Sequence, residues 1–123
     1  MQTKLFMLMG IGLIVLLAGC TQSNVPPGKY TAFAQCLTDE GAVMYGAFWC
    51  QHCAKVKASF GDAFSKVNYV ECDPKGENAN PALCIEKNIE AYATFIFADG
   101  TRLVGEPSLQ ELSAKTGCTL PEA

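Results

Sequence analysis

An apolar segment that runs directly into two closely spaced cysteines constrains the fold more than any other feature of the chain. Ala42–Trp49 shows no polar alternation, as is typical of a strand buried on both faces of a sheet. Cys50 and Cys53 follow at once, and apolar residues then recur at helical spacing. We predict a strand that ends at the cysteines and a helix that starts with them. Periodicity alone leaves a buried helical segment open as the alternative.

The order of the other elements predicts an α/β fold. They are a helix over Lys29–Glu40, a strand over Val67–Cys72, a short helix over Ala82–Asn88, strands over Ala93–Ala98 and Thr101–Gly105, and a last helix opened by the capping box at Ser108–Glu111. The last two strands flank Asp99-Gly100, which predicts a hairpin with a two-residue link and positive φ at both positions. A βαβ unit followed by a ββα unit predicts a central mixed sheet with helices on both faces and an extra N-terminal helix.

The first twenty residues predict export from the cytoplasm. Lys4 precedes Leu5–Ala18, an unbroken run of apolar residues and glycine that is shorter than the about 20 residues a lasting anchor needs. Small residues then lead into Cys20, which resembles the bacterial lipoprotein box, where the cysteine carries lipid. We expect a signal peptide over 1–19, the lipidated Cys20 and a tether to residue 28, and one domain over 29–123. An ordinary signal peptide or a short uncleaved anchor is the alternative.

The cysteine count agrees with an envelope location, because disulfides persist outside the cytoplasm. The chain has seven cysteines, and lipidation of Cys20 would leave six, an even number. If Cys50 and Cys53 form one pair, the other four allow three connectivities. The net charge of −3 and the lack of a basic cluster exclude a nucleic-acid-binding protein.

The segment Trp49-Cys50-Gln51-His52-Cys53 has the chemistry of a redox pair. Cys50 would lie at a helix N-terminus, where free N–H groups and the helix dipole stabilise a thiolate. His52 could donate a hydrogen bond or positive charge to that sulfur, and Cys53 would be the more buried, resolving cysteine. A pair that stabilises its own reduced form passes its disulfide on.

Other uses of the two cysteines are possible. A structural disulfide would need neither Trp49 nor His52. Zinc could bind Cys50 and Cys53, but the single histidine lies inside the pair and the next cysteines are far along the chain. Haem attachment is excluded because Ala54 stands where CxxCH requires histidine. We predict no metal and no cofactor.

The motif within this order of elements resembles the thioredoxin superfamily over roughly residues 30–118. More narrowly, the chain is similar to the thioredoxin-like domain attached to bacterial vitamin K epoxide reductase homologues, here as a stand-alone lipoprotein-like chain. That resemblance rests on GAFWCQHC, VECDP, the later Cys84 and the closing SLQELSAKTGC. It implies a thiol–disulfide oxidoreductase with protein thiol substrates and a membrane redox partner of that type. We favour disulfide donation; the alternatives are a reductase or electron relay, and a non-catalytic metal-binding or structural lipoprotein.

The resemblance also indicates substrate-binding residues and two departures. We expect substrate to contact Trp49, Gln51, Tyr92, Ala93 and Thr94. Ala93 stands where the superfamily usually has a cis-proline. A non-proline cis bond costs about 2.5–4 kcal/mol, so we predict a trans bond there unless the fold forces a cis one.

The second departure concerns a buried acid. Reducing thioredoxins bury an acidic residue six positions before the first cysteine, and this chain has Met44 there. Without that proton acceptor, deprotonation of Cys53 is harder, which argues against a fast general reductase.

We predict that the remaining cysteines are structural. A Cys72–Cys84 disulfide would close a loop with little core of its own, as the related fusion domains also imply. The functional alternative is a second redox pair that relays electrons to the first. By elimination, Cys36 would then pair with Cys118, although connectivity cannot be deduced from sequence.

Overall fold

The computed structural model describes residues 24–122. The predicted signal peptide, the lipidation site Cys20 and the start of the tether lie outside these residues. Within residues 24–122, no helix combines the length and the hydrophobicity that crossing a membrane requires.

The described chain contains four α-helices, four strands and one 3-10 helix. In chain order they are α1 (Thr31–Asp39), β1 (Val43–Gly46), α2 (Gln51–Phe60), the 3-10 helix (Gly61–Lys66), β2 (Tyr69–Glu71), α3 (Pro81–Glu86), β3 (Thr94–Ile96), β4 (Arg102–Val104) and α4 (Leu109–Thr116). Every predicted helix and strand is present, and the strands are shorter than predicted. The 3-10 helix was not predicted, because Phe60 and Phe64 follow the helical spacing and suggested that α2 continues past residue 60.

The four strands form one mixed sheet in the order β2-β1-β3-β4. β1 and β2 run parallel, while β3 pairs antiparallel with both β1 and β4. The parallel pair brackets α2, and the antiparallel pair precedes α4, so the chain is a βαβ unit followed by a ββα unit. This is a thioredoxin-like fold with an extra N-terminal helix, as the sequence predicted.

The two faces of the sheet bury unequal cores. Met44 of β1 packs in the larger core with the buried residues of α1, α2 and α4, whose centre includes Phe33, Phe60 and Leu112. The next residue, Tyr45, points to the other face and packs with Cys72 and Cys84. Cys50 and Cys53 belong to the larger core, on the side of the sheet that α2 covers.

Local signals in the sequence set the helix ends. The Ser108 side chain accepts a hydrogen bond from the Glu111 N–H while the Glu111 carboxylate accepts one from the Ser108 N–H, which confirms the capping box. Gly117 ends α4 in the left-handed conformation, with φ of +76°. The Asn80 side chain caps α3 by accepting from the Leu83 N–H at 3.3 Å.

The hairpin is present, but its turn differs from the predicted one. The Gly100 N–H donates to the Phe97 carbonyl and the Phe97 N–H donates to the Thr101 carbonyl, so three residues form the loop. Of the two link residues, Gly100 alone has positive φ, at +81°. The Asp99 carboxylate accepts from the Thr101 N–H and hydroxyl, and these bonds favour the longer turn with a glycine bulge.

The peptide bond between Tyr92 and Ala93 is cis, so the prediction of a trans bond is wrong. Ala93 is completely buried in the larger core, and its carbonyl accepts from the Gly105 N–H at 2.8 Å.

Candidate active site

The two cysteines of the motif lie at the junction of β1 and α2. Cys50 is the N-cap residue of α2, with an extended backbone, and its sulfur accepts a hydrogen bond from the Cys53 N–H at 3.3 Å. The first turn of a helix has N–H groups without intrahelical partners, and these favour a negatively charged acceptor. The fold therefore places Cys50 Sγ at the N-terminus of α2, beside the N–H groups of the first turn.

Neither Cys50 nor Cys53 is part of a disulfide, and the two thiols differ in their surroundings. Cys50 is 6% exposed and borders an open groove, while Cys53 is completely buried. Burial, followed by the hydrogen bond with Cys50, raises the pKa of Cys53 to about 12. The arrangement agrees with an attacking Cys50 and a resolving Cys53.

A groove of about 520 Å³ opens over Cys50. It is lined by residues 49–52 from the start of α2 and residues 90–92 from the loop before β3. The predicted contact residues Trp49, Gln51 and Tyr92 therefore lie together on the groove walls.

The two remaining predicted contact residues lie deeper. Ala93 is fully buried and Thr94 is 2% exposed, and the Thr94 hydroxyl donates to the Ala91 carbonyl at 2.7 Å. They support the groove wall from behind, and their contact with substrate stays a prediction.

Trp49 forms an aromatic wall of the groove. Its side chain is 61% exposed, and its ring meets that of Tyr92 edge to face with centroids 5.9 Å apart. The indole N–H donates to Asp73 Oδ2 at 2.7 Å. Hydrogen bonds from the Lys75 N–H and from Trp49 lower the pKa of Asp73 below its usual range. The loop after β2 thus fixes the orientation of the indole.

His52 points toward a partner that the sequence did not indicate. Its Nδ1 lies 2.5 Å from Glu106 Oε1, and Lys55 Nζ lies 3.4 Å from the same oxygen. The hydrogen bond with His52, helped by Lys55, lowers the pKa of Glu106. No hydrogen bond joins His52 to Cys50 within the described part of the chain. Any effect of His52 on the Cys50 sulfur is therefore exerted through space and shared with Glu106.

Below the pair, β2 brings a tyrosine and a glutamate toward Cys53. A Cβ built on Gly46 would lie 2.6 Å from Cys53 Sγ, 3.2 Å from the Tyr69 ring and 3.4 Å from the Tyr69 hydroxyl. Because Gly46 has no side chain, Cys53 of α2 and Tyr69 of β2 can approach each other at this position of β1. The Tyr69 hydroxyl donates a hydrogen bond to Glu71 Oε2, and Glu71 is only 4% exposed.

Glu71 is not among the site residues predicted from the sequence. The segment VNYVEC predicts a strand, in which Glu71 follows Tyr69 by two positions. A charged residue two positions after a tyrosine in a short strand shares its face, and that signal was available. Asp73 and Glu106 were also missed, because each acts on a residue more than twenty positions away.

Both expected disulfides form. Cys72 is bonded to Cys84, 12 positions apart, and Cys36 is bonded to Cys118, 82 positions apart. The first anchors the loop after β2 to α3, and the second links α1 to the end of α4. Among residues 24–122, no cluster of three or more histidine, cysteine or acidic side chains has the arrangement of a metal site.

The fold and the site define a thioredoxin-like domain with a dithiol at a strand–helix junction. No protein-family model matches the chain. The chain is similar to the thiol-disulfide oxidoreductase LTO1 of Arabidopsis thaliana, with 43% identity over 96 residues that cover 75% of this chain and 25% of that relative. The chain thus spans about a quarter of the length of the curated relative it matches.

Proposed function

We propose that this chain is an extracytoplasmic thiol–disulfide oxidoreductase that acts on protein thiols through Cys50 and Cys53. The observation that carries the proposal is the asymmetry of the pair. Cys50 caps α2 and borders a groove, while Cys53 is buried one turn further on. The similarity to a plant thiol-disulfide oxidoreductase supports the same chemistry.

The cycle uses the groove for binding and the cysteines for exchange. A substrate thiolate attacks Cys50 of the oxidised pair and forms a mixed disulfide with it, and Cys53 leaves as a thiolate that takes up a proton. The second substrate thiol then displaces Cys50, so that the substrate is oxidised and the pair is reduced. The exposed rings of Trp49 and Tyr92 offer a surface for apolar side chains beside the reactive sulfur.

Reoxidation of the pair needs a partner. We propose a membrane enzyme of the vitamin K epoxide reductase type, on the strength of the sequence resemblance alone. A lipid on Cys20 would keep the domain at the membrane surface, where such an enzyme lies. Cys20→Ser should release the protein from the membrane fraction and prevent labelling with a fatty acid. Retention of both in the variant would refute the tether.

Trapping experiments test the central function. A Cys53→Ser variant should accumulate mixed disulfides with disulfide-bonded substrate proteins, because the Cys50 thiolate attacks the substrate disulfide and the Cys53 thiol that would resolve the product is missing. Cys50→Ser should form none and should lose exchange with a model dithiol. Equal exchange in Cys50→Ser and in the unmodified protein would refute the catalytic assignment.

A reductase or relay is the second candidate, and Glu71 favours it. The sequence argued against reduction because Met44 replaces an acid below the pair, yet the structure places a buried carboxylate on the neighbouring strand. A proton acceptor near Cys53 assists the step in which Cys53 attacks a mixed disulfide. The reduction potential of the pair decides between donation and reduction.

A further inference from the structure

The buried thiol of Cys53 has to exchange a proton whenever the pair opens or closes. Attack by Cys53 requires its thiolate, because the thiolate is the nucleophile in disulfide exchange. Cys53 is completely buried, and its pKa of about 12 keeps it a thiol near neutral pH. Bulk water does not reach the sulfur, so a neighbouring group has to take the proton.

Three side chains with titratable groups lie near Cys53: Cys50, which caps α2, Lys57 on α2 and Tyr69 on β2. Glu71 is the hydrogen-bond partner of Tyr69 on the same strand. Cys50 is the reacting partner, and Lys57, whose Nζ lies 4.2 Å from the centre of the Tyr69 ring, carries a positive charge that favours the Cys53 thiolate. Glu71 is the only buried acidic side chain in residues 24–122, and as a carboxylate it can accept a proton.

The register of the sheet brings Tyr69 and Glu71 under the pair. Met44 lies opposite Tyr69 and Gly46 lies opposite Glu71 in the parallel pairing of β1 with β2. Alternate residues of a strand share a face, so these side chains all point to the face that α2 covers. Gly46 has no side chain, which leaves room for Cys53 and Tyr69 to approach each other across it.

Two distances from Gly46 set an upper limit on the distance between Cys53 Sγ and the Tyr69 hydroxyl. Cys53 Sγ and the Tyr69 hydroxyl lie 2.6 Å and 3.4 Å from the same point, the Cβ position of Gly46, and so are no more than about 6 Å apart. A relay through one water molecule spans such a gap. The Tyr69 hydroxyl already donates to Glu71, so the path from sulfur to carboxylate is short.

We propose that Glu71, acting through the hydroxyl of Tyr69, accepts the proton of Cys53 when the Cys50–Cys53 disulfide forms and returns it when that disulfide opens. This inference rests on the redox function proposed above. Both residues are positioning residues for the proton, since neither forms a bond to sulfur.

A mixed disulfide between Cys50 and a substrate is resolved by Cys53 in two parts, a proton transfer and a sulfur exchange. The Cys53 S–H proton passes to Tyr69, whose own proton moves to the Glu71 carboxylate. The Cys53 thiolate attacks Cys50 Sγ, the Cys50–Cys53 bond forms, and the bond between Cys50 and the substrate sulfur breaks. The substrate leaves as a thiolate that takes up a proton, so the pair loses two electrons and the substrate disulfide gains them. Disulfide donation is the reverse.

Oxidation of the reduced protein by excess glutathione disulfide separates the two steps. The attack of Cys50 is bimolecular, and the closure by Cys53 is unimolecular and sets the rate at saturating disulfide. Trp49, the one tryptophan of the chain, reports both by its fluorescence. Glu71→Gln and Tyr69→Phe should slow closure by about 100-fold at pH 7 and leave the bimolecular step unchanged.

The pH profile separates a proton relay from a structural role. The deficit of both variants should shrink as pH rises toward the pKa of Cys53, because a growing fraction of Cys53 is then already a thiolate and needs no proton acceptor. Tyr45→Phe is the matched control, since it removes a buried hydroxyl from the opposite face of β1 and should change neither step. Tyr69→Phe keeps the ring against Phe64 and Lys57, so it remains a test if Glu71→Gln does not fold.

Unaltered closure in both variants, or the same deficit at every pH, would overturn the inference. Failure of the proposed function looks different. In that case the unmodified protein itself would show no closure step with glutathione disulfide.

Discussion

Trp49, the residue before Cys50, donates a hydrogen bond of 2.7 Å from its indole Nε1 to Asp73 Oδ2. This bond links the start of α2 to the loop after β2, across 24 positions of sequence. It holds an indole that is 61% exposed in a fixed orientation over the groove. The aromatic wall beside Cys50 therefore depends on an acid at the surface.

The Trp49–Asp73 bond should fail in acid. The pKa of Asp73 is lowered by its bonds with the Lys75 N–H and with Trp49, so its carboxylate and the indole bond persist below about pH 4, the usual Asp range. The contribution of this bond is present above that range and is lost as pH falls through the depressed pKa. Trp49 fluorescence should titrate in that interval. Asp73→Asn should abolish the transition; an unchanged transition in the variant would assign it to another group.

His52 and Glu106 should shift the reduction potential in opposite directions. His52 contributes a donor or positive charge near the Cys50 thiolate, and Glu106, bonded to His52, contributes a negative charge. His52→Ala should lower the potential of the pair and Glu106→Gln should raise it, each by about 30 mV or less. Equilibration with glutathione buffers measures both shifts.

Ionic strength and the variant Lys55→Gln serve as controls for the effects of His52→Ala and Glu106→Gln. Both groups are exposed, so both shifts should diminish at high ionic strength. Lys55→Gln removes the second cation on Glu106 and should act in the same direction as His52→Ala. Shifts of the same sign in His52→Ala and Glu106→Gln would contradict the electrostatic explanation.

The two disulfides should contribute to stability and leave catalysis intact. Loss of Cys36–Cys118, replaced by alanines, should lower the free energy of unfolding by about 4 kcal/mol, because it closes the longer loop. Loss of Cys72–Cys84 should cost about 3 kcal/mol. Denaturant titration measures both. Below the transition, the double variant Cys72→Ala/Cys84→Ala should retain its rate of exchange; loss of turnover in a folded variant would show that this disulfide is the second redox pair.

Gly46→Ala should crowd Cys53 and Tyr69 and so destabilise the site. The added methyl group would lie 2.6 Å from Cys53 Sγ and 3.2 Å from the Tyr69 ring, so both would have to move. We expect a loss of about 1–3 kcal/mol in the free energy of unfolding and slower closure of the Cys50–Cys53 disulfide. Denaturant titration and glutathione kinetics measure the two effects.

A double-mutant cycle isolates the contact with sulfur. In a Cys53→Ala background, the cost of Gly46→Ala should fall, because the nearest atom is gone. An equal cost in both backgrounds would mean that Cys53 does not limit the space over Gly46.

Local chemistry made much of the fold predictable. The capping box at Ser108 and the Asn80-Pro81 start of α3 act within one helical turn, so the sequence shows them directly. The apolar run before Cys50 indicated β1 for the same reason. The hairpin was predictable from Asp99-Gly100, whereas its turn type depends on side-chain bonds from Asp99 to Thr101 that a dipeptide signal does not contain.

Tertiary contacts account for what the sequence did not predict. Glu71 acquires its place under Cys53 from the register of β1 with β2, and Glu106 reaches His52 across 54 positions. The cis bond before Ala93 depends likewise on how its loop packs against the core. Sequence patterns predicted Cys50 and Cys53 as the pair, whereas the places of Glu71 and Glu106 are set by packing.

The reduction potential of the Cys50–Cys53 pair tests the central claim most directly. The protein is equilibrated in glutathione buffers and Trp49 fluorescence is followed, with Cys50→Ser/Cys53→Ser as the control for the two other disulfides. We predict a reversible two-electron transition nearer to about −120 mV, the oxidising end of the scale, than to about −270 mV, and its absence from the control. No reversible transition in the unmodified protein, or an equal one in the control, would contradict the claim that this pair is redox-active.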